Sequence, residues 1–196
     1  MLTAAVQTFA WLACVVYSTI PSFWIVIHPR AEYWRSRLRS PYRVLVPVWI
    51  GLWIIVGAAT LPWRRVVLYR TGWGWIPAAA LLLAGFAIYR YSSQNFTPAQ
   101  LGGVPELQRG PRTQRLVTTG IRSRVRHPVY LGHLCEMCAW SIGTGLAACH
   151  VLTALAIVTG TIMIRMEDAE LEERFGEEYR RYRDAVPAIL PRQNWI

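Results

Sequence analysis

Residues 128–164 read PVYLGHLCEMCAWSIGTGLAACHVLTALAIVTGTIMI, an apolar block interrupted only by His133, Glu136 and His150. Drawn out as one helix, these 37 residues would run about 55 Å at 1.5 Å per residue, against a bilayer core of about 30 Å. The block therefore folds back on itself. Gly143-Thr144-Gly145 is the natural break, because two glycines there permit a tight turn. This predicts two membrane spans in a hairpin.

Upstream lie three further uncharged runs. Leu2 to Ile27 carries no Asp, Glu, Lys, Arg or His. Lacking a basic leader and too long for the core of a signal peptide, it reads as a span. Val44 to Trp63 is the second, and Thr71 to Tyr89 the third, with Pro77 in its first turn, where a missing N–H costs little. The expected fold is all-α: a polytopic membrane protein with about five transmembrane helices, the last two a hairpin. Residues 1–196 form a single membrane domain, with three N-terminal helices in 1–89 and the functional region in 90–196.

Composition agrees. Of 196 residues, 54% are apolar and 16% charged, with a net charge of +10. So much apolar surface excludes a disordered chain, and charge this sparse cannot coat a soluble enzyme. Four cysteines make no disulfide framework in a chain of this length. All 21 basic residues are arginine, and their placement sets the topology. The N-terminus and the Ser141–Cys149 turn have none, and the 64–70 loop has three. Segments 28–43 and 90–126 and the tail from Arg165 hold the other eighteen. The N-terminus is then outside and the long loop and tail are cytoplasmic, in a plasma or bacterial inner membrane. Arginines so placed serve orientation and anionic headgroups, not nucleic acid.

The tail differs from the rest. Arg165 to Asp184 holds eight of the eleven acids, and Leu171, Phe175, Tyr179 and Tyr182 recur at spacings of four, four and three. That is the stripe of an amphipathic cytoplasmic helix continuing from the fifth span. Gly176 weakens it locally, and Pro187 and Pro191 mark its end.

Three features exceed what a passive bundle needs. Leu116-Val117-Thr118-Thr119-Gly120-Ile121, then Arg126-His127-Pro128-Val129-Tyr130, stand where the long loop enters the fourth span. Free backbone N–H groups at that helix start would make an anion site, although Arg, His and Tyr also suit a membrane-interface anchor. Arg165-Met166-Glu167-Asp168 puts two carboxylates at the end of a span, which fits a cytoplasmic pocket or a solvated helix turn. His133 and Glu136 share one helix face inside the bilayer, where an acid is costly and faces the bundle interior. Cys135 and Cys138 read as inert buried thiols.

In this order the pieces resemble the superfamily of isoprenylcysteine carboxyl methyltransferases and phospholipid methyltransferases. Its parts here are Leu116-Val117-x-x-Gly120, Arg126-His127-Pro128-x-Tyr130, Glu167-Asp168, Phe175-Gly176-x-Glu178-Tyr179, and Val186-Pro187 with Pro191, between about Asn95 and Pro191. The resemblance implies a membrane enzyme using S-adenosyl-L-methionine, with 90–196 as its catalytic region and a lipophilic acceptor drawn from the bilayer. It implies cofactor binding by Gln114, Arg115, Leu116 and Val117, by His127, Pro128, Val129 and Tyr130, and by Glu167 with Asp168, where Glu is usual. Arg122 stands where the family often has Tyr, and Met163 where carboxyl methyltransferases carry a substrate-side Arg. Met163 ranks an amine or thiol acceptor, such as a phospholipid amine, above an isoprenylcysteine carboxylate. A proton-bearing acceptor needs a base, with His133, His127 and Glu136 as candidates; a carboxylate needs a cation, with Arg126 and Arg165 available. Two other classes compete. One is an NADPH-dependent sterol reductase-like enzyme, the other a non-catalytic lipid-binding module.

Overall fold

The structure is a computed structural model and describes residues 4–36, 42–70, 72–93 and 115–190. Among these it is all-helical: α1 (Ala4–Ile27), α2 (Ala31–Ser36), α3 (Tyr42–Thr60), α4 (Trp75–Ser92), α5 (Pro128–Thr144), α6 (Ala147–Phe175) and α7 (Glu177–Ala185). Three helical segments are long and apolar enough to cross a membrane: Ala4–Arg30, Tyr42–Trp63 and Ala147–Phe175. Large apolar side chains stand in the open on two of these segments and on α4: Ile54 at 67% exposed, Val158 at 60% and Leu83 of α4 at 70%. Such a belt is the mark of a lipid-facing surface.

Side-chain pairs give the helix directions. Trp11 Nε1 donates to Thr60 Oγ1 and Trp49 Nε1 donates to Thr19 Oγ1, each at 3.0 Å, so α1 and α3 run antiparallel. These polar pairs clamp helices between which lipid supplies no hydrophobic drive. Small residues do the same for α4 and α5. A Cβ on Gly132 would stand 2.7 Å from the Tyr89 ring, and one on Gly143 would stand 2.9 Å from the Trp75 ring. Only glycine admits so close an approach.

The α5–α6 hairpin forms where two glycines were expected to break the block, but each glycine has its own task. Gly143 stays helical and takes the Trp75 ring against its bare Cα. Gly145 makes the turn at φ 65°, and a Cβ there would stand 2.5 Å from the Tyr69 carbonyl oxygen. The 64–70 loop is fastened to this turn by an isolated antiparallel bridge, Val67 to Leu146, with Leu68 N–H on the Gly145 carbonyl at 2.8 Å.

The tail departs from one continuous helix. At Gly176, φ 59° and ψ −131° lie where side-chain-bearing residues are strained. The glycine ends α6 and turns α7 back. Tyr179, Tyr182 and Val186 consequently pack with Leu116, Leu171 and Phe175 in one cluster, so the stripe persists although the helix does not.

Candidate active site

The site is built where α5 begins. Gly120 (φ 64°) opens a 3-10 turn, Gly120–Ser123, and His127 caps α5 with Pro128 in its first turn. The segment after α7 returns over this entry. Arg126 N–H donates to the Pro187 carbonyl at 2.9 Å and His127 N–H donates to the Ala188 carbonyl at 3.0 Å. Tyr182 OH donates to the Arg122 carbonyl at 2.7 Å. These backbone N–H groups just ahead of the helix serve the protein's own chain. The anion site expected from the sequence is smaller by that much.

Behind the entry lies a charged hub. Arg126 donates through Nη2 to Asp168 Oδ2 at 2.7 Å, and through Nη1 to the carbonyls of Arg183 at 3.0 Å and Val186 at 2.5 Å. Asp168 also accepts from Tyr179 OH and lies 3.0 Å from His127 Nε2. On the other side of the ring, His127 Nδ1 is 3.1 Å from Glu167 Oε2. Burial alone would keep this imidazole neutral. The two carboxylates overcome that and raise its pKa to about 9.

The pH dependence of the clamp follows from this rise. A group whose pKa is raised by folding stabilises the fold fully below its ordinary value, about 6.5, and loses that contribution as pH rises through about 9. Thermal midpoints in detergent should fall between pH 7 and pH 10 by more in the native protein than in His127→Gln. Equal falls would show that the ring carries no charge in the fold.

In front of the hub opens a cavity of about 740 Å³. Its mouth is polar, with Arg90, Ser92 and Ser93 from the end of α4, His28 after α1, Arg122, and Glu167 beside His127. Deeper in, the wall is apolar and aromatic, with Phe23, Trp24 and Trp49 facing Phe86, Tyr89 and Tyr130.

Of the residues singled out in the sequence, His127, Pro128, Val129, Tyr130, His133 and Glu167 line this cavity together. Others stand elsewhere. Arg126 and Asp168 form the hub. Glu136 does not line the cavity, and it accepts a hydrogen bond from Tyr17 OH at 2.6 Å. Leu116 packs against α7 and Val117 is half-buried beside it. Arg115 and Arg165 are exposed, and Gln114 lies outside the described residues.

Sequence reasoning missed the wall supplied by α1, α3 and α4: His28, Trp24, Trp49 and Tyr89. Only the position of His28 at the end of the first span hinted at it. The cavity fits a polar cofactor with a cationic centre. Glu167 stands at its edge, paired through Oε2 with His127 Nδ1 and keeping lone pairs for a ligand, and the Tyr130 ring lies close by, within 6.0 Å of His127.

Comparison with known proteins bears on the same region. The profile of the phospholipid methyltransferase family matches residues 78–178, about half of the chain. Methanethiol S-methyltransferase of Pseudomonas deceptionensis is 29% identical over 157 residues, covering 74% of this chain and 51% of that protein. Protein-S-isoprenylcysteine O-methyltransferase of Rattus norvegicus is 30% identical over 146 residues, covering 68% and 50%. The chain thus spans about half the length of the curated relatives it matches.

Proposed function

The chain belongs to the phospholipid methyltransferase family, and from that membership we propose that it is an integral membrane enzyme transferring a methyl group from S-adenosyl-L-methionine to a lipophilic acceptor. The observation that carries this reading is the two-part cavity. One end has a carboxylate and cations suited to a polar zwitterion, and the other has an aromatic wall that includes Phe86, itself exposed on the apolar outer surface.

S-adenosylmethionine, when bound, supplies an electrophilic methyl carbon on a sulfonium. The chain's own residues do the rest. The Glu167 carboxylate, paired with His127 through Oε2, keeps lone pairs that can accept charge-assisted hydrogen bonds from cofactor hydroxyl or ammonium groups. Arg122, at the mouth, can balance an anionic group of the cofactor. Tyr130 offers a ring face to a cation. The apolar wall excludes water and aligns the acceptor, and proximity of this kind can supply roughly 7–11 kcal/mol of a barrier.

The same reading covers the topology. α4 and α5 join the three longer helices as spans, making five. The N-terminus and the hairpin turn share one end of the bundle, which we assign to the outside. The arginine-rich segments and the cavity mouth share the other, the cytoplasmic end. An acceptor enters sideways between α3 and α4, whose Val46 and Phe86 line the cavity and are also exposed on the lipid-facing surface.

Equilibrium binding to the purified protein in detergent tests the assignment. Labelled S-adenosylhomocysteine should bind and NADPH should not. The reverse result would move the protein to the reductase class, and binding of neither would leave a non-catalytic module.

A further inference from the structure

An acceptor with a hydrogen on the atom to be methylated needs a base within reach of that hydrogen. None of the three candidates read from the sequence is arranged for the task. His127 faces a carboxylate at each ring nitrogen, 3.1 Å from Glu167 and 3.0 Å from Asp168. Two carboxylates call for two N–H groups, so this ring is an imidazolium with no lone pair to offer. Glu136 does not line the cavity, and it accepts from Tyr17 OH. His133 lies in the cavity wall among the rings of Tyr17, Tyr89 and Tyr130. Among the described residues no carboxylate pairs with it, so a proton taken there would be a charge enclosed by aromatic rings with no acid behind it.

His28 has what these lack. It opens the 3-10 turn His28–Arg30 after α1, and its buried ring lines the polar mouth of the cavity, as Glu167 does. Two neighbours fix the ring. Trp24, one helical turn earlier, stacks on it at 5.4 Å and 26°. Glu170 of α6 brings Oε2 to 3.2 Å from Nδ1, and Arg174 stands 4.0 Å from the other oxygen of that carboxylate. A carboxylate only accepts, so in the neutral ring Nδ1 carries the hydrogen and the lone pair is on Nε2. The tautomer is thereby set, and an acid stands behind the ring to stabilise the imidazolium when it forms.

We propose that His28 is the catalytic base of this site, oriented by Glu170, and that the acceptor bears a hydrogen on its reacting atom. The proposal rests on the methyltransferase reading. In the step, the acceptor's heteroatom bonds to the methyl carbon while its proton passes to Nε2 of His28. The bond from that carbon to the sulfonium sulfur breaks, and its electron pair stays on the donor sulfur. The methylated acceptor leaves without the transferred proton, which the imidazolium returns to water at the mouth. His28 lies outside residues 78–178 that the family profile matches, so the end of α1 brings the site a group from beyond the matched region.

His28→Asn tests the role, because the Asn amide can keep a donor toward Glu170 but offers no base. His28→Gln is the second variant should Asn fail to fold. The acceptors are decylamine, decanethiol and decan-1-ol, which bear a hydrogen on the reacting atom, and decanoate, which does not. The wild type should bind S-adenosylhomocysteine and methylate at least one of the first three. With that acceptor the variant should keep its S-adenosylhomocysteine affinity and its KM within threefold of wild type and lose at least 100-fold in kcat. If His28 merely tied α1 to α6, the Asn variant would keep its kcat. A smaller loss of kcat in a folded variant would overturn the role of His28. A change beyond threefold in S-adenosylhomocysteine affinity or KM would overturn it too, by making His28 a binding residue. Methylation of decanoate alone, or of none of the four, would overturn the proposal while leaving cofactor binding intact. A wild type that does not bind S-adenosylhomocysteine would remove the methyltransferase reading itself, and this proposal with it.

Discussion

Glu167→Ala lowers the affinity for S-adenosylhomocysteine by at least about 10-fold, the loss of one or two charge-assisted hydrogen bonds at about 1.5–3 kcal/mol each. The expectation rests on two placements: the carboxylate is in the cavity wall, and its pairing with His127 through Oε2 leaves lone pairs that no described residue uses. The variant should still insert, because Asp168 remains to hold His127. Calorimetric titration in detergent reads the effect, and an affinity within threefold of wild type would show that the cofactor does not touch Glu167.

Arg126→Leu produces the second large effect, through stability rather than contact. The guanidinium is buried away from the cavity and holds Asp168 and the carbonyls of Arg183 and Val186 together. Removing it takes a donor from Asp168 and from the carbonyls of Arg183 and Val186, and breaking a buried pair costs about 3–5 kcal/mol. Asp168 keeps Tyr179 and His127, so the lower part of that range applies. The thermal midpoint in detergent should fall by about 6–12 °C, and S-adenosylhomocysteine affinity should fall with it as the hub loosens around His127. Arg126→Lys should recover only part of both, since an ammonium cannot make the bidentate fork. A midpoint unchanged in Arg126→Leu would return this residue to direct contact with a ligand.

Much of this was readable from local pattern. The hairpin followed from a block too long for one crossing, and the α5 entry from His127-Pro128. Glu167 stood out as an acid at a span's end. The misreadings were of partnership across distance. Nothing local distinguishes Glu167, which faces the cavity, from Asp168, one residue on, which faces Arg126 and Tyr179. One helical step of about 100° separates their directions, and only the packed bundle decides which side the cavity is on. The aromatic wall from α1, α3 and α4 was hidden for a related reason. Tryptophans and tyrosines in a span read equally well as lipid-facing or cavity-facing until helix rotations are known. Gly176 shows a third limit. Its cost to a helix was legible, but its φ of 59° and the reversal of α7 were not.

That reversal has a consequence for biogenesis. The N–H groups of Arg126 and His127 find their acceptors only at Pro187 and Ala188, so the entry to α5 is completed by chain made some sixty residues later. The hairpin can enter the bilayer while the ribosome is still at work, yet the ligand chamber acquires its final shape only when the segment after α7 reaches it. A protease cut between α6 and Ala188 should therefore leave a correctly inserted bundle that has lost its grip on the methyl donor. Membrane integration and acquisition of activity would be two separate events in the life of this protein.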